Sequence, residues 1–405
     1  MLTTDQKAII SAVTSGSNVL ITGPGGVGKS HVIGHIKTVI DDTTITAMTG
    51  AAAVLIGGKT LHSTLGIGLA NGTSDELAKK VNRKVWNDLK VLVIDEISML
   101  SDKLLDKIEH IARIVRKNDN PFGGIQLVFS GDFLQLPTIK DTFCFKATCW
   151  SKLNLETFML TEIKRQIDPE FQRVLNAARV GDITEEQVEY LKAGGCDAKA
   201  NEAKGIIPTR ILCKNLDVDA INLKELEKLP AEDTCTYERE IVLKNPGIQI
   251  KIEAFCPAPS SVTVAIGAQV MLIVNKDQEV GLVNGSRGVV VGYDDDDVPI
   301  VKFTDGGQFS IGFHTWEIAD GSKVYGHIYA IPLKLAWAVT CHKAQGTSID
   351  SAYINLFGVF EFGQAYVAIS RVRSHGSLIL QNATQSMFKA HPEALQFYEE
   401  LEASE

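Results

Sequence analysis

The residues Gly23-Pro24-Gly25-Gly26-Val27-Gly28-Lys29-Ser30 restrict this chain more than any others. They follow an apolar run with branched side chains, NVLIT at 18–22, and open SHVIGHIKTVI, whose apolar residues have helical spacing. Strand, glycine-rich loop and helix in that order form a phosphate cradle. The glycines let backbone N–H groups curl around phosphate oxygens, and the helix N-terminus adds positive potential. Lys29 is placed to reach the β and γ phosphates and the Ser30 hydroxyl to bind Mg²⁺. A strand that feeds such a loop needs partners on both edges and helices on both faces, so the loop already selects an α/β layer structure.

The rest of the N-terminal half supplies those partners. Apolar runs at 45–49 (ITAMT), 91–94 (VLVI) and 125–129 (IQLVF) alternate with helix-like segments, as in a mostly parallel sheet. The run at 91–94 leads into Asp95-Glu96. Beside a phosphate loop, the first carboxylate suits Mg²⁺ and the second suits orienting or deprotonating a water, which is the chemistry of hydrolysis. The run at 125–129 leads into Ser130-Gly131-Asp132-Phe133-Leu134-Gln135-Leu136-Pro137, which puts Gln135 at the carboxyl edge of the sheet as a candidate γ-phosphate sensor or a loop residue bonded to backbone. Thr3-x-x-Gln6 reads as a capping box, and Gln6 is open to that role or to adenine recognition. Leu104, Ile108, Ile111 and Val115 make one apolar helical stripe, with Lys103, Lys107, Arg113 and Arg116 expected on an outward basic face.

A length of 405 residues allows two to four domains, and a second α/β pattern does begin near Thr209 (RILCK, then VDAINLKELEKL) and resume at about Ile331 with PLKLAWAVT, SAYINLF and SLILQN. Between about Thr236 and Tyr329 the helical signals vanish. Short β-type runs (VTVAI, AQVMLIV, RGVVVGY, IVKF) are broken by Asn284-Gly285, Gly306-Gly307 and four Asp at 294–297, which reads as a small β-module with a solvated hairpin tip. Seven cysteines with no CxxC pair argue against a zinc site or a disulfide framework. A net charge of −9 does not advertise coating of nucleic acid, although local patches escape a chain total. No run approaches a membrane span, and Asp5 and Lys7 in MLTTDQKAII do not suit a leader peptide, so the expectation is an intracellular, cytoplasmic protein.

With the phosphate loop, DEIS and GDFLQLP in this order, the sequence resembles superfamily 1 helicases, and specifically the Pif1-like group related to RecD and the phage Dda helicase. Thr49-Gly50-Ala51-Ala52-Ala53 with Gly58-Lys59-Thr60-Leu61-His62-Ser63 looks like motif Ia. Leu160 to Gln166 is similar to motif IV, Ala338 to Gly346 to motif V, and Tyr366-Val367-Ala368-Ile369-Ser370-Arg371 to motif VI. Gly267 to Leu272 with Val283-Asn284-Gly285 looks like the family's sequence leading into an SH3-like 2B module.

The resemblance implies two RecA-like domains: 1A at 1–165 with a 1B wedge insertion at about 66–90, and 2A at 166–236 and 330–405, with 2B inserted at 237–329. It further implies an ATP-driven DNA helicase moving 5′ to 3′ in genome maintenance, replication or repair. An ATPase translocase stimulated by single strands, or a nucleotide-gated DNA-binding protein with little unwinding, stays open as an alternative. By the same resemblance Gln6 reads adenine, and Gln345 and Gly346 join the nucleotide site. Arg165 and Arg371 become arginines reaching the γ-phosphate from the second domain. Thr49, Thr60, His62, Ser63, Thr340, His342 and Lys343 line the path of single-stranded DNA. Partners would be single strands and their junctions with duplex, engaged by a monomer and away from any membrane. Trp86 is the one aromatic in the 1B segment and is open to a packed core role, so no strand-separating pin residue is assigned.

Overall fold

In a computed structural model the described residues are 2–68, 70–138, 141–197, 207–213, 215–245, 252, 255–274, 276–277, 282, 286–303, 307–320, 323–349 and 351–403. By internal contacts the chain divides into two units. The first comprises Met1–Ile183, Glu361–Ser370 and Phe388–Glu405, and the second Thr184–Phe360 and Arg371–Met387.

The first unit is built on six parallel strands: β1 (Val19–Thr22), β2 (Thr43–Ala47), β3 (Lys59–Thr60), β4 (Val91–Asp95), β5 (Gln126–Gly131) and β6 (Glu156–Met159). Their order is β3-β2-β4-β5-β1-β6. Residues alternate across this sheet with the strand period of two. Leu20, Leu92, Ile94, Leu127 and Phe129 enter one core layer. Val19, Ile21, Val91, Val93 and Val128 enter the other, against α1 (Thr4–Thr14) and α2 (Lys29–Val39). Both faces are covered, which explains why these strands read as continuous apolar runs.

The long helix α3 (Asp102–Arg116) buries Leu105, Ile108, Ile111, Ala112 and Val115. Leu104 is only partly buried, so the stripe sits one residue from the expected line. The expected outward basic face is instead mostly consumed by the fold. The Arg116 guanidinium donates to the carbonyls of Gly123, Trp86, Asn87 and Leu89, Lys107 donates to Ala70 O at 2.7 Å, and Arg113 pairs with Glu109. These carbonyls terminate helices and turns around the 1B segment and need donors. Trp86 is 1% exposed and donates to Leu65 O at 3.0 Å, a core role.

Residues 166–183, with α4 (Pro169–Val180), and residues 361–370 and 388–405 gather with this first unit, whereas the sequence reading put them in the second α/β domain. The physical reason is visible in the core. The C-terminal helix Pro392–Glu402 buries Ala394 and Tyr398 among the same apolar side chains as β4 and β5.

The second unit carries four parallel strands in the order Ala338–Thr340, Thr209–Leu212, Ala352–Asn355, Leu378–Gln381. Its β-rich part has a five-stranded antiparallel sheet, a three-stranded one and a two-stranded one. Leu333–Leu335 pairs antiparallel with Gln269–Leu272, so PLKL closes the β-module and the parallel sheet resumes only at Ala338. The Asp294 carboxylate accepts from the backbone N–H of Asp296 and Val298 and from the Ser310 hydroxyl, which makes the acidic run a capped hairpin tip. Val283, Asn284, Gly285 and Gly306 lie outside the described residues. Five of the seven cysteines are buried, as expected of small core residues.

Candidate nucleotide site

Parallel strands place all their carboxyl ends on one edge, and ladder register fixes which residues share it. Thr22 pairs with Gly131 and Ala47 with Asp95, so the phosphate loop, Asp95-Glu96 and the Asp132–Gln135 segment leave neighbouring strands at one level. The loop needs its glycines. Gly23 has φ +135 and a Cβ there would lie 2.0 Å from Leu160 O. At Gly26, φ is +88 and a Cβ would lie 2.7 Å from the Arg165 Cβ. Neither position tolerates a side chain. Gly28, also left-handed, is the N-cap of α2, whose first residues are Lys29 and Ser30.

Lys29 Nζ donates to the carbonyls of Gly23 at 2.7 Å and Pro24 at 2.9 Å, folding back on its own loop. Burial pushes its ammonium down, against the pull of Asp132, Glu96 and Asp95. Burial likewise raises the Asp95 carboxyl, partly offset by a 2.7 Å bond from the Ser130 hydroxyl. A buried carboxylate penalised for its charge is relieved by a cation, so Asp95 with the Ser30 hydroxyl would fit Mg²⁺ bound beside a phosphate. Glu96 is 8% exposed and takes left-handed φ/ψ of 55 and 47 at a non-glycine position, a strained geometry that a functional site can retain.

Gln6 completes the predicted capping box with Thr3, yet only its Oε1 is used for that bond. Its Nε2 faces the phosphate loop, 3.0 Å from where a Gly28 Cβ would stand. Gln135 is 4% exposed, and its Nε2 lies 3.4 Å from Asp132 Oδ2. Arg165 belongs with the phosphate loop and not with the second α/β sheet. Its backbone N–H donates to Gly26 O at 3.2 Å and its Nη1 to Ser370 O at 3.0 Å, because β6 delivers the segment to the same sheet edge. Arg371 is 1% exposed in the second unit.

Three site contacts exist only in the folded chain, and two of them, through Arg179 and Tyr398, carried no usable sequence signal. Gly25 N–H donates to the Tyr366 hydroxyl at 3.0 Å. Arg179 on α4 holds the Asp132 carboxylate with bonds of 2.8 and 3.0 Å. Burial alone would raise that carboxyl, and the guanidinium overrides it and holds it below the usual range. Tyr398 reaches the same carboxylate from the C-terminal helix. Arg179 and Tyr398 are lone polar residues on amphipathic helices until the fold juxtaposes them, and Tyr366 sits in a short helix buried throughout.

Among the expected DNA contacts, Thr49 caps the turn at Ala52 and Thr60 caps the helix Leu61–Leu65. Thr49 lies just past β2 and Thr60 ends β3, with His62 and Ser63 following it, and all four are half-buried. Burial pushes the His62 imidazole down, which keeps it neutral at pH 7. Thr340 is 2% exposed, Gln345 is buried and Gly346 half-buried, while the side chains of His342 and Lys343 lie outside what is described.

Comparison with known proteins places these features in a family. The PIF1-like helicase family matches residues 1–189, and the 2B domain family of the DNA helicase Pif1 matches residues 250–293. The ATP-dependent DNA helicase PIF1 of Xenopus laevis is 39% identical over 99% of this chain, which spans 64% of that protein's length. A crystal structure of Pif1 helicase from Candida albicans is 32% identical, with a TM-score of 0.85 and 99% of each chain covered. A Bacteroides Pif1 helicase in complex with ADP-AlF3 and single-stranded DNA is 28% identical, with a TM-score of 0.71, 100% of this chain and 98% of that one covered. Since a solved Pif1 helicase matches this chain from end to end and the PIF1-like model matches its N-terminal half, the chain belongs to the Pif1-like helicase family.

Proposed function

We propose that this protein is an ATP-dependent DNA helicase that moves 5′ to 3′ on single-stranded DNA and separates duplex. The observation that carries the reading is a phosphate loop whose lysine shares one sheet edge with Asp95, Glu96 and Gln135, an arrangement suited to hydrolysis rather than storage of a nucleotide. Support for the nucleic-acid partner comes from family membership and from the Bacteroides relative bound to single-stranded DNA.

In this reading Lys29 and the loop N–H groups bind the β and γ phosphates, Ser30 and Asp95 hold Mg²⁺, and Gln6 contacts adenine. The metal would neutralise charge developing on the transferred phosphoryl. Glu96 orients or deprotonates the attacking water, Gln135 reports the γ-phosphate, and Arg165 and Arg371 stabilise transition-state charge. Thr49, Thr60, His62, Ser63, Thr340, His342 and Lys343 grip the DNA backbone without reading bases, as a motor on any sequence must. Junctions of single and double strands are the working substrate. No described helix is long and apolar enough to cross a membrane.

The test is ATP-dependent strand separation on duplexes with only a 5′ or only a 3′ tail, with ATPase followed in parallel. Unwinding of the 5′-tailed duplex alone supports the motor and its polarity. ATPase stimulated by single strands with neither duplex separated refutes the helicase reading.

A further inference from the structure

The nucleotide site has a support that reaches it from the far end of the sequence. The hydroxyl of Tyr398 meets Thr22 Oγ1 at 2.6 Å, accepts from the Phe133 backbone N–H at 3.1 Å and donates to Asp132 Oδ1 at 3.1 Å. Its single proton serves Asp132, and its two lone pairs accept from Phe133 N–H and the Thr22 hydroxyl, so its hydrogen-bonding capacity is fully used. Thr22 is the last residue of β1, directly before Gly23. Asp132 directly follows β5, and its carboxylate also receives Leu134 N–H at 3.2 Å, the Gln135 side-chain amide at 3.4 Å and the Arg179 guanidinium. One phenol therefore joins the strand that feeds the phosphate loop to the carboxylate that holds the sensor glutamine.

The helix bearing the phenol is itself fixed. Phe397 stacks on Phe145 with centroids 4.5 Å apart and meets Phe133 edge-on at 5.0 Å. The Arg179 guanidinium lies over the Tyr398 ring, 4.8 Å from its centroid. A side chain locked by packing on one side and by saturated hydrogen bonds on the other is what a precise site needs behind its reacting groups.

From this geometry we propose that Tyr398 is a positioning residue for ATP hydrolysis: through Asp132 it sets where Gln135 stands relative to the phosphate loop. The proposal rests on the ATPase reading above. It makes the C-terminal helix Pro392–Glu402 a working part of the nucleotide site.

The experiment compares Tyr398→Phe, which keeps the ring and removes the hydroxyl, with the parent chain in ATPase assays stimulated by single-stranded DNA. A fluorescent ADP analogue measures nucleotide affinity. The expected result is a fall in kcat of about tenfold, the scale of one hydrogen bond to a charged group, with nucleotide Kd changed less than about twofold. In a Gln135→Ala background the same substitution should cause no further fall, because the two act in series. Thr22→Val removes the strand-side partner and should lower kcat in the same way, so it carries the test if Tyr398→Phe does not fold. Unchanged kcat in both variants, or a fall that multiplies fully with that of Gln135→Ala, overturns the proposal. An inactive parent chain instead overturns the ATPase reading itself.

Discussion

The Arg179–Asp132 pair offers the sharpest test of the physical reasoning. Asp132 is fully buried and the Arg179 side chain is 11% exposed, with a bidentate contact between them. An exposed pair would be worth about 0–1 kcal/mol. Removing one partner of a buried pair strands the other charge and costs about 3–5 kcal/mol. Arg179→Met should therefore destabilise the first unit by about that amount, lowering its melting temperature by roughly 6–20 °C for a unit of about 200 residues. The step to follow is the one that added ADP raises, since a ligand stabilises the unit that binds it.

The sign of the pH dependence follows from the carboxyl. In the parent, Arg179 overcomes burial and holds Asp132 below its ordinary value of 3.8, so its contribution is present above that value and fades as pH falls through the lower folded one. In the variant, burial is opposed only by Lys29 and the bonds from Leu134, Gln135 and Tyr398, so the carboxyl rises relative to the parent, and the penalty is full at pH 8 and eases as pH falls. Adding Asp132→Asn to Arg179→Met should recover a large part of the loss at pH 8. A deficit under about 1 kcal/mol, or one equal at pH 8 and pH 5, would refute the argument.

Other expectations are simpler. Glu96→Gln should lower single-strand-stimulated kcat by about 10²- to 10⁴-fold with ATP and DNA binding retained; unchanged turnover would remove Glu96 from the water-activating role. Gly23→Ala forces a side chain into φ +135 against Leu160 O, and strain of about 1–3 kcal/mol should weaken nucleotide binding about tenfold or more in titration, whereas parent-like affinity would show that the loop yields. Because burial keeps His62 neutral, single-strand affinity should show no His62-dependent rise between pH 8 and pH 7; a rise that His62→Ala abolishes would mean that the ring carries charge on DNA.

Local sequence determined the phosphate loop, the strands around it and the acids at their ends, because each follows from short-range periodicity and a turn only glycine can make. It also determined the β-rich character of the segment inserted within the second parallel sheet and the hairpin tip at the acidic run. It misplaced Leu333–Leu335, since an apolar run shows that a strand exists but not which sheet its hydrogen bonds join. Nor could it show that Arg116 and Lys107 of α3 are spent on backbone carbonyls, since the acceptors lie as far off as Trp86 and Ala70. Tertiary structure alone decided that Arg165 sits against Gly26, that Arg179 pairs with Asp132, and that the Tyr398 hydroxyl joins Thr22 to Asp132. These residues are distant in sequence and individually ordinary. A buried charge or hydroxyl acquires its role from the partner that packing forces on it, and only the folded chain specifies that partner.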